Sequence, residues 1–163
     1  MCLTTIWSGG QRGADQGGLA AAQDMGLKTG GWIPHGFLTL NGEIPDLANL
    51  GLKEHKSSKY SPRTFTNVKE TDGTIRLAYD FNSRGEVCTL NAIQQYDKPY
   101  YDVDLNDPDF IFDVTDWIVQ NNIKVLNVAG NAGKTREQGT QIFKVVRAYL
   151  KCVFRFFTQK TTW

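Results

Sequence analysis

The stretch LTTIWSGGQRGAD at residues 3–15 decides the fold. Residues 3–7 form an apolar, β-branched run typical of a buried strand, and residues 8–10 (Ser-Gly-Gly) follow it as a glycine turn. Small and apolar residues then recur at helical spacing over residues 14–25, and Gly26 is placed to end the helix. A buried strand that leads through a glycine turn into a helix is the repeating unit of a parallel α/β fold.

The same alternation of strands and helices continues along the chain. Further strands are predicted at residues 28–33, 73–79, 100–103 and 125–128, and further helices at residues 84–96, from Asp107 onward and around residues 142–150. Asp107 followed by Pro108 predicts a helix start, because aspartate caps free N–H groups and proline suits the first helical position. We therefore expect one Rossmann-like domain over residues 1–163, a three-layer α/β fold with a mainly parallel sheet flanked by helices.

The sequence does not decide the secondary structure of three segments. Residues 34–63 lack clear periodicity, and a loop of about 30 residues is long for a compact domain, so a second helix or a hairpin is expected within it. Residues 65–69 fit either a helix or a strand. The aromatic tail at residues 152–157 is predicted to form a final edge strand or an oligomer contact.

Composition excludes several classes of protein. A net charge of +1 gives no electrostatic attraction to nucleic acid or to a membrane surface. The three cysteines form no CxxC pair, so neither a disulfide framework nor a zinc site is indicated. The sequence contains no apolar run of about 18 residues, so no membrane helix is predicted. The first residues do not resemble a signal peptide. We expect a cytoplasmic protein.

The glycine loop after the first strand is the first candidate ligand site. Ligands of parallel sheets bind at the carboxyl ends of the strands, where glycines permit close approach and helix starts attract anions. Its candidate ligand-binding residues are Ser8, Gly9, Gly10, Arg12 and Gly13. Asp15 is expected to cap the following helix, with contact to a ligand hydroxyl as the alternative. The spacing does not fit the dinucleotide fingerprint, which disfavours a nicotinamide cofactor.

The loop after the last predicted strand is the second candidate. Its ending, Gly-Lys-Thr, resembles a P-loop, but the earlier glycine of that motif would fall on Val128, so the spacing fails. A looser anion nest remains compatible with a strand-to-helix turn, the alternative being a solvated basic loop. The candidate residues here are Gly130, Asn131, Gly133, Lys134 and Thr135.

Further candidates lie near the middle of the chain. Arg84 and Gly85 precede a predicted helix and suit an anion, although an ordinary loop capped by Ser83 explains them equally well. Asp72, Gly73, Thr74 and Asn127 complete the candidate set.

No catalytic or metal-ligating residue is predicted. The sequence shows no obvious acid–base pair. His35 and His55 lack metal-ligand spacing and are expected to pack in loops. Ser8 lies outside a G-x-S-x-G elbow and is expected to bond backbone groups. Cys88 is expected to be a small buried side chain, with a contact of its thiol to a ligand as the alternative.

A set of these motifs resembles the molybdenum cofactor carrier family. The resemblance rests on residues 6–15 (IWSGGQRGAD), Asn67-Val68, residues 72–74 (DGT), Lys98-Pro99 and residues 126–130 (LNVAG). It extends over about residues 5–150, in the order of the family. The family is similar to a wider Rossmann-like group that includes the lonely-guy-type phosphoribohydrolases and DNA-processing proteins.

The resemblance implies a function and a partner set. The family's members bind and protect the molybdenum cofactor, a pterin with one phosphate and a dithiolene-held molybdenum, and form homo-oligomers, here a dimer or a tetramer. Molybdoenzymes or cofactor-biosynthesis proteins would be the partners. Two loops depart from the family pattern: residues 83–86 read SRGE in place of a Gly-Gly-Thr turn, and residues 130–135 read GNAGKT in place of Gly-Pro-Arg-Glu-Ser.

Two functional hypotheses follow. In the first, the protein is a non-catalytic carrier, and Arg12 and Lys134 hold the phosphate or the molybdate oxygens in an anion-binding cleft. In the second, it is a phosphoribohydrolase-like enzyme on a nucleotide, or a sensor of a nucleotide-derived ligand. The P-G-G-x-G-T-x-x-E motif of those enzymes is absent, and Glu86 near Arg84 is the nearest substitute.

Overall fold

The computed structural model describes residues 3–159 of the 163-residue chain. The strands are β1 (Thr5–Ser8), β2 (Lys28–Ile33), β3 (Leu38–Thr39), β4 (Gly42–Glu43), β5 (Leu52–Glu54), β6 (Gly73–Ala78), β7 (Tyr100–Asp104) and β8 (Val125–Gly130). The helices are α1 (Ala14–Asp24), α2 (Tyr60–Glu70), α3 (Arg84–Tyr96), α4 (Ile111–Gln120) and α5 (Arg136–Thr158), with a 3-10 helix at Pro45–Leu50.

Six of the strands form one parallel sheet in the order β5-β2-β1-β8-β6-β7. The chain builds outward from β1 to β5, crosses to β6 and β7, and returns to insert β8 between β1 and β6. This insertion matters for function, because it places the carboxyl ends of β1, β8 and β6 side by side. The antiparallel pair β3-β4 stands apart from the sheet.

The two faces of the sheet differ in chemistry. On one face α1, α4 and α5 cover a continuous apolar core that includes Ile6, Ile75 and Leu126. Helix α1 packs closely because Gly18 faces β8: a Cβ at this position would lie 2.6 Å from a methyl group of Val128. The opposite face, under α2 and α3, carries buried polar side chains that the next subsection describes.

The predicted α/β fold is confirmed, and several elements match their predicted bounds. Strand β2 and helix α3 have the expected ends. The unassigned segment at residues 34–63 holds the β3-β4 pair, the 3-10 helix, β5 and the first turn of α2, and residues 65–69 belong to α2. Both a hairpin and a helix are therefore present where the sequence left the choice open.

Two local predictions are wrong. Helix α4 begins at Ile111 rather than near Asp107, because the Asp107 amide closes a turn onto the Asp104 carbonyl (3.1 Å) and Pro108 stays outside the helix. The edge strand offered as one of two roles for the aromatic tail is absent, since α5 continues to Thr158, and the oligomer contact stays a prediction. The helix continues because Phe154 falls on its buried stripe and is fully enclosed by the core.

No helix among residues 3–159 is long and apolar enough to cross a membrane.

The end of α5 offers a stability test. Phe154 is 0% exposed and Phe156 is 54% exposed on the same helix. Phe154→Ala should reduce the free energy of unfolding by about 3–5 kcal/mol, because it leaves a cavity in the core. Phe156→Ala, the matched control, should change it by less than about 1 kcal/mol. Urea unfolding measures both, and equal effects would contradict the placement of the tail.

Candidate functional site

The three predicted loops meet at one edge of the sheet, as their strand order requires. The side chain of Asn131 joins two of them, since its Oδ1 accepts from the amides of Tyr79 (2.8 Å) and Asp80 (3.0 Å). The carbonyl of Asn131 accepts from the amide of Ala14 (3.0 Å), which ties the start of α1 to the same point. The carboxyl ends of β1, β6 and β8 therefore form one continuous surface.

A small polar recess opens between this edge and helices α2 and α3. It offers about 10 Å³, room for one water-sized group. Its walls come from the first loop, α1, α2, α3 and β8, and its lining residues are Gly9, Asp15, Arg63, Thr64, Asn67, Thr89, Asn127, Val128 and Ala129.

Arg63 is the cation of this recess. It projects from α2, is 9% exposed, and donates from Nη1 to the hydroxyl of Thr64 (2.7 Å). Its Nε is buried and has no hydrogen-bond partner. The guanidinium lies against the backbone of Gly9, where an added Cβ would come within 2.4 Å of Nη1. Burial lowers the pKa of Arg63, which the charge of Asp15 opposes.

Asp15 supplies the opposite charge. It is 6% exposed and accepts a hydrogen bond from the amide of Gln11 (3.2 Å). Burial raises its pKa from 3.8 to about 6, although Arg63 and the amides of Gln11 and Gly9 favour the ionised form. Helix α1 begins at Ala14, and no side chain caps its N-terminus at Gly13, so the prediction that Asp15 caps this helix is wrong.

The amides of the first loop are already bonded within the protein. Besides Gln11, the amide of Gly10 donates to the Ser8 hydroxyl (3.2 Å) and that of Arg12 to the Gln11 side chain (3.0 Å). The expected role of Ser8 as a partner of the backbone is confirmed. The expectation of free amides that form an anion cradle is wrong here, because side chains of the same segment occupy them.

Arg12 links two loops rather than facing the recess. Its guanidinium donates to the carbonyls of Ala132 (2.9 Å) and Gly133 (2.9 Å) and to Oδ1 of Asn41 (3.1 Å). The three hydrogen bonds are donated by Nε, Nη1 and Nη2, and two of the acceptors are backbone carbonyls of the loop that follows β8. Its geometry is therefore that of a structural clamp.

Glu86 is a second carboxyl group with unusual acidity. It is 3% exposed at the start of α3, accepts from Nδ2 of Asn131 (2.9 Å), and lies against the hydroxyl of Ser83. Burial raises its pKa from 4.5 to about 7, the Asn131 hydrogen bond lowers it, and the charge of Asp15 raises it further. Asp15 and Glu86 are therefore two buried carboxyl groups with raised pKa values, a property that the sequence did not reveal.

The remaining loop candidates lie outside the recess. Lys134 and Thr135 are exposed, and Thr135 caps α5 by accepting from the Gln138 amide (3.1 Å). Arg84 and Gly85 are exposed at the start of α3. The two loop glycines have backbone roles: Gly133 has a φ of +79°, and a Cβ on Gly130 would lie 1.9 Å from the Leu77 carbonyl oxygen.

The central DGT motif does not reach the carboxyl edge. Asp72 accepts from the amides of Lys124 (3.0 Å) and Val125 (2.9 Å) at the amino ends of the strands, and Gly73 begins β6 beside it. Asp72 and Gly73 therefore lie at the opposite end of β6 from the recess. Thr74 lies one residue further, where Nδ2 of Asn127 donates to its hydroxyl (3.2 Å) beneath the recess.

The weaker candidates take ordinary positions. The His35 side chain is 66% exposed, and His55 packs in its loop with its ring nitrogens near Thr66 and the Ser57 amide (both 3.2 Å). Cys88 is half-buried, not enclosed, with Sγ 3.6 Å from the Ser61 hydroxyl. Residues 3–159 contain no group of three or more His, Cys, Asp or Glu side chains that could hold a metal ion.

A parallel sheet flanked by helices on both faces defines a Rossmann-like α/β fold. The chain belongs to the circularly permutated YpsA SLOG family (cpYpsA), whose model matches residues 6–154. It is similar to a Syntrophus aciditrophicus protein named "Putative molybdenum carrier protein", solved at 1.45 Å, with 35% identity, a TM-score of 0.82, and coverage of 94% of this chain and 95% of that one. No curated protein sequence matches the chain significantly. The family resemblance is confirmed.

The clamp formed by Arg12 can be tested through stability. Arg12→Ala should lower the free energy of unfolding by about 1–3 kcal/mol, because three acceptors in the loops lose their charged donor. Arg136→Ala, at the exposed start of α5, is the matched control and should change it by less than about 0.5 kcal/mol. If both variants were equally stable, Arg12 would be free for another role.

The raised pKa of Glu86 predicts a pH dependence. A carboxyl group that the fold keeps protonated stabilises the native state below pH 4.5, and this contribution is lost as the pH rises through about 7. Relative to Glu86→Gln, the wild type should therefore lose about 2–3 kcal/mol between these limits. Urea unfolding from pH 4.5 to 8 measures this difference. If the wild type and Glu86→Gln showed the same change of stability with pH, the burial of Glu86 would be contradicted. Glu137→Gln, which changes an exposed carboxyl group on α5, is the control and should show the same pH dependence as the wild type.

Proposed function

We propose that the protein is a non-catalytic carrier that binds a phosphate-bearing ligand, the molybdenum cofactor, at the recess formed around Arg63. One observation carries this proposal: Nε of Arg63 is a buried donor without an acceptor. An unpaired buried donor costs about 1–3 kcal/mol, and such groups mark places where a ligand completes the bonding. An anionic oxygen in the recess would pair with the charge of this guanidinium.

The polar recess is large enough for only a small part of the cofactor. Its volume of about 10 Å³ admits one oxygen-sized group, so the pterin would lie outside it, over the exposed edge near Tyr60 and Tyr79. Nothing among the described residues is arranged to ligate a metal ion. The molybdenum would therefore keep its own sulfur ligands, and the protein would hold the cargo through its phosphate and its ring.

The name of the similar Syntrophus aciditrophicus protein supports the same reading, because it describes a molybdenum carrier. On this proposal, cofactor-biosynthesis proteins or molybdoenzymes would deliver and receive the cargo. The homo-oligomer and the cytoplasmic location expected from the sequence stay predictions.

One observation favours a second candidate, an enzyme that acts on a nucleotide. The pKa of Asp15 is about 6 and that of Glu86 about 7, so both carboxyl groups exchange protons near neutral pH beside a buried guanidinium. A phosphoribohydrolase needs such a group to protonate the leaving base. Release of a free base from a nucleoside monophosphate would support this candidate against the carrier.

The carrier proposal predicts that Arg63→Gln loses the ligand while keeping the fold. Removing a charged hydrogen bond worth about 1.5–3 kcal/mol should weaken binding about 10-fold or more. The melting temperature should stay about constant, because the variant removes a buried Nε donor that has no acceptor, while Asp15 can take up a proton when its cation is gone. Purified protein is incubated with the cofactor without oxygen, separated from free ligand, and its bound pterin is measured by fluorescence after denaturation.

Arg155→Gln, on the exposed part of α5, is the control and should retain as much pterin as the wild type. Equal retention by Arg63→Gln would contradict the proposed site. A melting temperature that falls sharply in Arg63→Gln would instead show that Arg63 is structural.

A further inference from the structure

The exposed phenylalanines of the protein are concentrated on α4 and α5. Phe110 is 82% exposed just before α4, Phe112 is 65% exposed in its first turn, and Phe156 is 54% exposed near the end of α5. No other phenylalanine among residues 3–159 is exposed. Exposed aromatic rings in one region of a surface mark a place where another molecule binds.

Helices α4 and α5 lie side by side and run in the same direction. Just before α4, the carbonyl of Asp109 accepts a hydrogen bond from the hydroxyl of Tyr149 on α5 (2.9 Å). At the other end, Val119 of α4 and Phe157 of α5 line the same small surface recess. Phe157 also packs edge-to-face against Phe156, with ring centroids 5.2 Å apart. The two helices therefore form one continuous surface.

This surface is divided in charge, although the net charge of the chain is only +1. Residues 99–123, which include α4, contain six Asp and no Glu, Lys or Arg, whereas α5 contains five Lys or Arg and one Glu. Asp113, Asp116, Lys144 and Arg155 are exposed, and no ion pair in the described part of the chain includes them. An acidic strip therefore lies beside a basic strip.

A surface divided in this way is complementary to a second copy of itself. In a two-fold symmetric dimer both copies contribute the same patch. An axis that runs along α4 and α5, between them, places α4 of each copy against α5 of the other, so that each acidic strip meets a basic strip. Asp116 and Arg155 each lie within one turn of the recess that the two helices share, so the axis brings them together across the interface.

The exposed face of α5 leaves room for a ring from α4. Phe112 lies one turn after Asp109, and Cys152 one turn after Tyr149, so the two residues are at the same level along the helices. The exposed residues of α5 at this level, Ala148 and Cys152, are small. A large side chain that packs against small ones lets two helices approach closely.

The aromatic surface has the size that a stable dimer needs. A phenylalanine side chain offers roughly 200 Å², so the three exposed rings supply roughly 400 Å² per copy. Stable dimers bury about 800 Å² per partner, of which somewhat more than half is apolar. The three rings would therefore supply most of the apolar part, and the charged strips would form the polar rim.

We propose that α4 and α5 form the interface of a two-fold symmetric homodimer. Phe110 and Phe112 are its main apolar contacts, Phe156 lies at its edge, and Asp116 of one copy pairs with Arg155 of the other. This surface and this pairing go beyond the homo-oligomer that the family resemblance implies. Neither depends on the carrier function, because the polar recess opens toward α2 and α3 on the opposite face of the sheet.

The apolar contact is tested by the mass of the full chain in sedimentation equilibrium at micromolar concentrations, where the wild type should be a dimer or a larger assembly. Phe112→Asp should weaken dimerisation about 30-fold or more, because it places a charge in the apolar part of the interface. It should keep the fold, since Phe112 is exposed and aspartate suits the first turn of a helix. Val87→Asp, at an exposed apolar position in the first turn of α3 on the opposite face, is the matched control and should dimerise as the wild type does.

The charge pairing is tested by exchange. Asp116→Arg and Arg155→Asp each bring like charges together across the interface, so each should weaken dimerisation about 10-fold or more. The double variant restores opposite charges and should dimerise within about threefold of the wild type.

The outcomes separate this interface from other arrangements. A tetramer that Phe112→Asp reduces to a dimer would support the interface. A wild type that stays monomeric would overturn the inference and leave this surface to a different protein, without affecting the carrier proposal. A Phe112→Asp variant that dimerises as well as the wild type would also overturn it. Should Phe112→Asp fail to fold, the charge exchange decides alone, and a double variant that dimerises no better than the single ones would overturn the inference.

Discussion

The site depends on one contact, that of the Arg63 guanidinium with the backbone of Gly9. A Cβ at Gly9 would lie 2.4 Å from Nη1, so any residue other than glycine would make the Arg63 side chain shift away from the end of β1. The charge held there faces Asp15, which at the same time binds the Gln11 amide and so shapes the first loop. Loop conformation and recess chemistry therefore depend on the same few atoms.

One face of the sheet contributes mainly to the stability of the fold, and the other carries the candidate site. The face under α1, α4 and α5 buries a continuous apolar core, which supplies most of the folding free energy. The face under α2 and α3 buries polar groups instead, including Thr64, Asn67 and Asn127. Buried polar groups stabilise a fold less than apolar ones, and their concentration at a strand edge is typical of a ligand site.

Sequence patterns predicted the architecture well and the site only in part. Alternating apolar runs and glycine turns identified β1, β2 and α3, because these elements bury apolar side chains with regular spacing. Helix α2 was not predicted, because its buried face carries Arg63, Thr64 and Asn67, and a search for apolar periodicity does not detect such a face. The contacts of Arg12 could not be predicted, since its partners, the carbonyls of Ala132 and Gly133, lie about 120 residues away in the chain. The position of the DGT motif in the sequence did not reveal which end of β6 it occupies.

The central claim is that the Arg63 guanidinium lines a recess that binds an anion, and the NMR signal of its Nε–H tests this most directly. The signal is assigned by its loss in Arg63→Lys and followed while inorganic phosphate is added at pH 7. The account predicts a saturable downfield shift of this Nε–H, as the guanidinium gains a charged partner. A signal that does not move, while the amides of Lys134 and Thr135 respond to phosphate, would place the anion on the exposed loop and contradict the account.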